Sequence, residues 1–351
     1  IGPQHPLAGE VSRLICEFTG HARVGLCNTG SEAVLGALRV ARTVTGRSLV
    51  AVFNGSYHGI NDEVVIRGNK KLQAMPGAPG ILRNACENML VLDYGTPEAL
   101  EVLRERADEL AAVLVEPVQS RRPDFQPIEF LKEVRKITEE SGTVLIFDEV
   151  ITGFRMHPGG TQALFGIKAD LATYGKVIGG GYPLGVIAGK REYMDALDGG
   201  HWQYGDDSIP AVGVTYFAGT FVRHPLALAA TKAVLDHMKE VGPELQEQLN
   251  ARVTAYAHEL NAFCREVGAP IEIKQYGSLW RTHWLEDHPL QDLLFAMIRS
   301  RNVHILDNFP CYFTTAHTEA DYKTIAQAYK DAVVELQEAE FLPRSSATSR
   351  T

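Results

Sequence analysis

The sequence predicts an α/β protein: a large domain with a mostly parallel sheet between helices, followed by a smaller C-terminal α+β domain. Three observations carry that reading. Short β-branched runs alternate with longer helical patterns over the first two-thirds of the chain. Several of these runs end in polar or glycine-rich turns, which is where open α/β sheets place their ligands. Beyond about residue 225 the pattern changes, and long amphipathic stretches dominate.

Taken in order, the expected strands are Val24–Cys27, Leu49–Phe53, Met89–Leu92, Ala112–Glu116, Thr143–Phe147, Leu171–Tyr174 and Val186–Ala188. Helices are expected between them over Ser31–Thr43, Pro97–Leu110 and Glu129–Glu140. Strands alternating with helices argue for a sheet covered on both faces. In the second part, helices are expected over Leu226–Val241, Glu244–Val267, Leu290–Arg301 and Glu319–Glu338. A strand-rich stretch, Ile271–Trp284, and a patch, Val303–Phe313, lie between them. The implied division is 1–225 for the large domain, 226–341 for the small one, and 342–351 as a linker or tail. The opening at Ile1 and the small polar tail Pro343–Thr351 suggest a segment of a longer polypeptide.

Composition narrows the function classes. With 45% hydrophobic and 22% charged residues the chain is of ordinary soluble type. A net charge of −9 disfavours nucleic acid or an anionic membrane as the main partner. No apolar run has the length of a membrane span and no stretch reads as a secretory leader. The five cysteines (Cys16, Cys27, Cys86, Cys264, Cys311) show no CxxC pair. They are expected as buried thiols of a cytoplasmic protein.

Three turns carry candidate chemistry. After the first strand, Asn28-Thr29-Gly30 leads into a helix near Ser31. The free N–H groups and positive dipole end of such a junction can cradle a phosphate. A plain cap by Thr29 or Ser31 reads the same residues equally well. Next, the apolar run before Asp148 and Glu149 places two acids at a strand end, costly unless paired with a cation. A protonated pyridine nitrogen is a better partner than a metal, since only His157 offers a nearby nitrogen ligand. By the period of two, one acid faces the partner and the other points away. Finally, Lys176 follows a short apolar strand and precedes Gly179-Gly180-Gly181. An apolar surround lowers a lysine pKa and frees the amine for attack on a carbonyl. The alternative is a surface lysine on a turn. Tyr57 and His58, beyond Leu49–Phe53, offer a ring to stack on a flat cofactor. Thr220, between Gly219 and a helix start at Pro225, is a second small phosphate contact.

The succession of N-TGSEA, YHG, VEPV, FDEV, YGK-x-x-GGG and GTF-x-x-x-PLA resembles class III aminotransferases, over about residues 5 to 338. Within that class it is most similar to glutamate-1-semialdehyde aminomutase. VEPVQSRRPD, YGDDS and GTFVRHPLA further resemble the aminotransferase domains of hybrid polyketide–non-ribosomal peptide synthases. The resemblance implies fold type I for the large domain and pyridoxal 5′-phosphate (PLP) as cofactor. It implies that Lys176 holds PLP as a Schiff base and shuttles protons, with Asp148 on the pyridine nitrogen. Val150 and Tyr57 take the two ring faces, and Gly30 and Ser31 hold the phosphate. His58 supports Tyr57 and the cofactor, Glu116 lies by the phenolate side, and Thr220 reaches the neighbouring subunit's phosphate in a homodimer. Two half-reactions at one site imply ping-pong kinetics.

The chain departs from the family in three places. The N-terminal segment that stand-alone relatives carry before GPQHP is not in this sequence. Arg121 stands where asparagine or glutamate is expected, and reads either as a substrate-anion ligand or as a solvated pair with Arg122. The DNFPCYFTTAHT region is apolar near Phe309, where the aminomutase has an acid, which suits an acyl chain. The HWQYGDDS loop (His201, Asp206, Asp207) reads as an entrance loop rather than a metal site. The leading expectation is therefore a megasynthase domain. It would move an amino group from an amino-acid donor to a β-keto acyl thioester on the phosphopantetheine of an acyl carrier protein. The alternatives are a free-standing aminomutase or ω-aminotransferase, and a catalytically silent scaffold.

Overall fold

The computed structural model describes residues 4–69, 73–202 and 205–343. Gln203 and Tyr204 of the HWQYGDDS loop, and the tail from residue 344, lie outside the described residues. The chain opens with α1 (Leu7–Thr19), β1 (Arg23–Cys27), α2 (Gly30–Thr45) and β2 (Leu49–Phe53). A two-stranded ribbon, β3 (Ile66–Gly68) and β4 (Ala74–Pro76), leads to β5 (Met89–Leu92), α3 (Pro97–Glu105) and β6 (Leu110–Val115). Then follow α4 (Ile128–Ser141), β7 (Val144–Asp148), α5 (Gly160–Phe165), β8 (Leu171–Gly175) and β9 (Gly185–Gly189). The short α6 (Arg191–Met194) precedes α7 (Pro225–Val241).

Seven strands form one sheet in the order β1-β9-β8-β7-β6-β2-β5. From β8 to β5 every neighbouring pair is parallel, and β9 alone reverses, pairing antiparallel with β8 and β1. All residues of β6, β7 and β8 are buried. Strands covered on both faces are unbroken apolar runs, which is why they are legible without alternation.

The sheet's most important neighbour is α2. Thr29 caps it by accepting from Glu32 N at 3.1 Å, and Gly46 closes it in the left-handed region. Its buried stripe of Ala33, Val34, Ala37, Leu38 and Ala41 packs against β6–β9. Small residues let the helix lie close to the sheet, so its N-terminus is fixed beside the ends of β7 and β8.

By its contacts the chain forms two compact units. The first holds residues up to Gln119 together with Gln126–Pro243; the second holds Ser120–Phe125 and the residues from Glu244 onward. Helix α7, expected to open the second domain at residue 226, stays with the first. It packs on α1 and on the turn after β8. There, a Cβ on Gly180 would stand 3.1 Å from Val234 Cγ2 and 3.2 Å from Ala230 O, so the glycine is what allows this approach.

The second unit contains α8 (Glu244–Val267), β10 (Ile271–Tyr276), β11 (Leu279–Trp284), α9 (Leu293–Ser300), β12 (Cys311–Tyr312) and α10 (Glu319–Glu338). Its antiparallel sheet β10-β11-β12 carries an aromatic core of Tyr256, Trp280, Phe313, Tyr322 and Tyr329. Thr318 and Asp321 form a reciprocal capping box at the start of α10.

Two expected helices are shorter than their patterns. The Pro97–Leu110 pattern ends as α-helix at Glu105, because a 3₁₀ turn intervenes and Leu110 is already a buried strand residue. The helix expected from Leu290 begins at Leu293. The five cysteines are free: Cys27, Cys86 and Cys264 are buried, whereas Cys16 and Cys311 are only partly so. Among the described residues no helix is long and apolar enough to cross a membrane.

Leu38 is fully buried on the sheet-facing side of α2, whereas Thr43 is exposed on the same helix. Leu38→Ala is expected to lower unfolding stability by about 2–5 kcal/mol, and Thr43→Ala to change it by less than about 0.5 kcal/mol. Denaturant titration with a constant m-value checks both.

Candidate active site

A cleft of about 300 Å³ opens where the N-terminus of α2 meets the C-terminal ends of β7 and β8. Gly30, Ser31, Tyr57, His58, Asp148, Val150 and Lys176 all line it. Seven residues singled out in sequence are thus brought together from four separate stretches of chain.

At one end lies the α2 terminus. The N–H groups of Gly30 and Ser31 are the first of the helix and have no partner within it. The Ser31 hydroxyl oxygen accepts from Ile60 N at 3.2 Å, and its proton remains to be donated. Asn61 Nδ2 donates to Ser31 O at 2.7 Å and ties the loop after His58 to this turn. The turn is packed without spare room. A Cβ on Gly59 would overlap the Ser31 hydroxyl, one on Gly185 would overlap Thr29 O, and one on Gly30 would lie 2.7 Å from Val150 Cγ1.

At the other end stand Asp148, the last residue of β7, and Glu149 directly after it, which face opposite ways as continued strand alternation requires. Asp148, 5% exposed, receives Thr173 Oγ1–H at 3.0 Å and Val150 N–H at 3.2 Å on Oδ1. Its Oδ2 lies 2.8 Å from His58 Nδ1. Glu149 is fully buried on the far side, accepting from Thr161 N at 2.6 Å, Gln162 N at 3.1 Å and Thr152 Oγ1 at 3.0 Å. Burial raises its pKa from 4.5 to about 7, against the opposing pull of these donors.

Lys176 follows β8 directly, with φ of +47°. For a non-glycine residue this left-handed backbone stores strain, a feature that gathers at functional sites. The side chain is exposed rather than buried as its motif suggested, because the glycine turn leaves the cleft open above it. Protein atoms around the amine still desolvate it enough to lower its pKa, while Asp148 and Glu116 push the other way and Arg155 adds to the lowering.

Glu116 is buried just outside the lining and accepts from Tyr57 N at 3.3 Å. Thr220 is exposed in the turn before α7 and does not line the cleft. Arg121 is exposed and belongs to the second unit, where its carbonyl accepts from Arg281 at 3.1 Å. Among the described residues no group of three or more His, Cys, Asp or Glu could hold a metal, and His201, Asp206 and Asp207 form none.

Other residues of the site drew no notice in sequence. Ile151, Tyr182, Pro183 and Leu184 line the cleft beside Lys176. Fully buried Gln119 donates from Nε2 to Asn54 O at 2.8 Å and Ser56 Oγ at 2.9 Å, anchoring the loop that carries Tyr57 and His58. Only the acid-and-turn context of VEPVQ pointed toward it.

A fold of this kind with an acid, an amine and a helix N-terminus at one cleft defines an α/β enzyme of the aminotransferase type. The class-III aminotransferase family model matches residues 2–309, and the chain belongs to that family. It is similar to the glutamate-1-semialdehyde 2,1-aminomutase of Desulfotalea psychrophila, 35% identical over 320 residues, 86% of this chain and 71% of that protein. Among solved structures it is similar to a transaminase with PLP bound, at TM-score 0.86 and 27% identity over 97% of this chain and 80% of the other. It is also similar to a β-phenylalanine aminotransferase from Variovorax paradoxus, at TM-score 0.82 and 28% identity, covering 98% of this chain and 77% of that one.

The raised pKa of Glu149 has a consequence for stability. The folded chain holds a proton that the unfolded chain releases between pH 4.5 and about 7. The stabilisation from this group is therefore present at low pH and lost as pH rises through that window. Its slope is at most about 1.4 kcal/mol per pH unit. Glu149→Gln is expected to flatten the dependence; melting temperatures from pH 4.5 to 8 on both proteins check it.

Proposed function

We propose that the chain is a PLP-dependent aminotransferase in which Lys176 anchors the cofactor and Asp148 serves its ring nitrogen. The observation that carries this reading is the convergence of three unlike groups on one cleft: an anion-binding helix end, an acid and an amine. The residues present fit such a cofactor. Gly30 N–H, Ser31 N–H and the Ser31 hydroxyl suit a phosphate; Asp148 suits a protonated pyridine; Lys176 suits an aldehyde. When bound, PLP supplies an electron-withdrawing ring that stabilises negative charge on the carbon bearing the substrate nitrogen.

The chain's own residues do the rest. The α2 terminus would dock the phosphate, and Val150 and Tyr57 would flank the ring. His58 and the backbone of Val150 hold the Asp148 carboxylate in place. Lys176 Nζ, with its lowered pKa, takes a proton from the nitrogen-bearing carbon and returns it elsewhere. Glu116 lies behind Tyr57, and Thr220 serves the phosphate site of a second copy in a homodimer.

For the substrate, glutamate-1-semialdehyde 2,1-aminomutases at up to 39% identity support the reading of a free-standing glutamate-1-semialdehyde aminomutase or ω-aminotransferase. The second reading is amination of a carrier-bound β-keto acyl thioester from an amino-acid donor. It is favoured by the exposed apolar Leu306 and Phe309, 59% and 62% accessible, and by similarity to an enzyme named for a β-amino acid. Arg121 is kept as a ligand for a substrate anion.

Borohydride reduction of the PLP-treated protein, followed by peptide mapping, is expected to tag Lys176; Lys176→Ala is expected to carry no tag and no transaminase activity. A tag on another lysine contradicts the assignment. Assays with free glutamate-1-semialdehyde and free oxo acids against phosphopantetheine-tethered β-keto acyl groups separate the two substrate readings. Turnover of the free acids is expected under the first, and a strict need for the tether under the second.

A further inference from the structure

Thr173 is a buried side chain behind Asp148, outside the cleft lining, that none of the motifs singles out. It is the register partner of Asp148 across the parallel pair β7–β8, and it stands three residues before Lys176. The residue is fully buried, in a strand where a plain aliphatic side chain would be the usual occupant. A buried hydroxyl is costly unless it is bonded, and this one donates to Asp148 Oδ1 at 3.0 Å. Its carbonyl accepts from Glu149 N at 2.9 Å, which continues the pairing one residue past the acid.

The donors around Asp148 divide between its two oxygens. Thr173 Oγ1 and Val150 N serve Oδ1, and His58 Nδ1 serves Oδ2. Without Thr173 the Oδ1 side would rest on Val150 N alone, the longest of the three bonds at 3.2 Å, and the carboxylate could turn about its terminal torsion, which has broad, shallow minima. With all three donors its plane is fixed, and its remaining lone pairs have fixed directions.

We infer that Thr173 is a positioning residue: with His58 it clamps the Asp148 carboxylate, so that the acid meets the cofactor's ring nitrogen in one orientation set by the β7–β8 pairing. The inference rests on the PLP reading above and adds a residue to it. Thr173 touches neither substrate nor cofactor; it acts through Asp148. The strand that delivers the amine therefore also aims the acid.

The test compares wild type, Thr173→Val, Thr173→Ser and Thr173→Cys as PLP-loaded proteins. Valine keeps the shape and removes the donor, serine keeps the donor, and cysteine is a weak donor of similar size. PLP affinity is read by equilibrium dialysis, and the bound cofactor's absorbance is followed against pH with Lys176, His58, Glu116 and Arg155 unchanged in every variant. Thr173→Val is expected to bind PLP about tenfold more weakly, the scale of one hydrogen bond to a charged group. It is also expected to shift the absorbance transition and to lower kcat with little change in KM. Thr173→Ser is expected to restore all three, and Thr173→Cys to fall between. A merely structural role would lower Tm without moving the absorbance transition. Affinity and transition unchanged in Thr173→Val, or in Thr173→Cys should the valine variant not fold, overturn the inference. If wild type takes up PLP at Lys176 in that case, the cofactor reading survives; wild type that takes up none overturns both.

Discussion

The carboxylate pair at the end of β7 is the constraint on which the site depends. Two adjacent acids leave a fully buried strand, and neither can stay there without donors. Strand alternation sends them apart. Glu149 is consumed by the backbone of the α5 turn and by Thr152, so it serves the fold. Asp148 is left to the cleft side, where its protein donors cover part of its capacity and a cationic ligand can take the remainder. One dipeptide thereby holds the architecture with one acid and the chemistry with the other.

The topology then brings the other groups to that acid. Because β7 and β8 are parallel neighbours, their C-terminal ends lie side by side, and Lys176 leaves β8 next to Asp148. Because β9 runs antiparallel to both β8 and β1, β1 has the direction of β8, and the turn after it that opens α2 reaches the same end of the sheet. Close packing of this turn needs residues without side chains: Gly185 passes under Thr29, and Gly59 lies against Ser31. The loop of Tyr57 and His58 is held by Gln119 and Glu116 from the end of β6. The phosphate-type end, the acid and the amine are thus fixed by separate elements, which favours a pre-organised site.

Much of this was legible in the sequence, and the reasons are local. Leu49–Phe53 and Met89–Leu92 have their predicted limits because buried parallel strands are unbroken apolar runs flanked by turns. Glu244–Val267 and Glu319–Glu338 are long enough for their periodicity to dominate. By contrast, the β3–β4 ribbon and the six-residue α5 are short and shaped by tertiary contacts, and their patterns do not stand out; α1, with Ala8, Val11, Leu14 and Ile15 at helical spacing, carries a signal that motif reading passes over. The boundary at residue 225 follows a change in pattern, yet α7 is kept in the first unit by its packing on α1 and on the turn after β8, a long-range fact. The same holds within the site. Asp148 and Lys176 announce themselves by their motifs, whereas Gln119 and Thr173 act through distant partners. The exposure of Lys176 also follows from an open cleft that no local motif describes.

The central claim is that the ends of β7 and β8 present an acid and an amine to opposite ends of one bound ring. A crystal structure of the protein grown with PLP tests it most directly. The phosphate is expected on the N–H groups of Gly30 and Ser31, the ring nitrogen within hydrogen-bonding distance of Asp148, and continuous density to Lys176. A ring whose nitrogen faces solvent or another residue, with Asp148 still bonded only to His58, Thr173 and Val150 N, would contradict this.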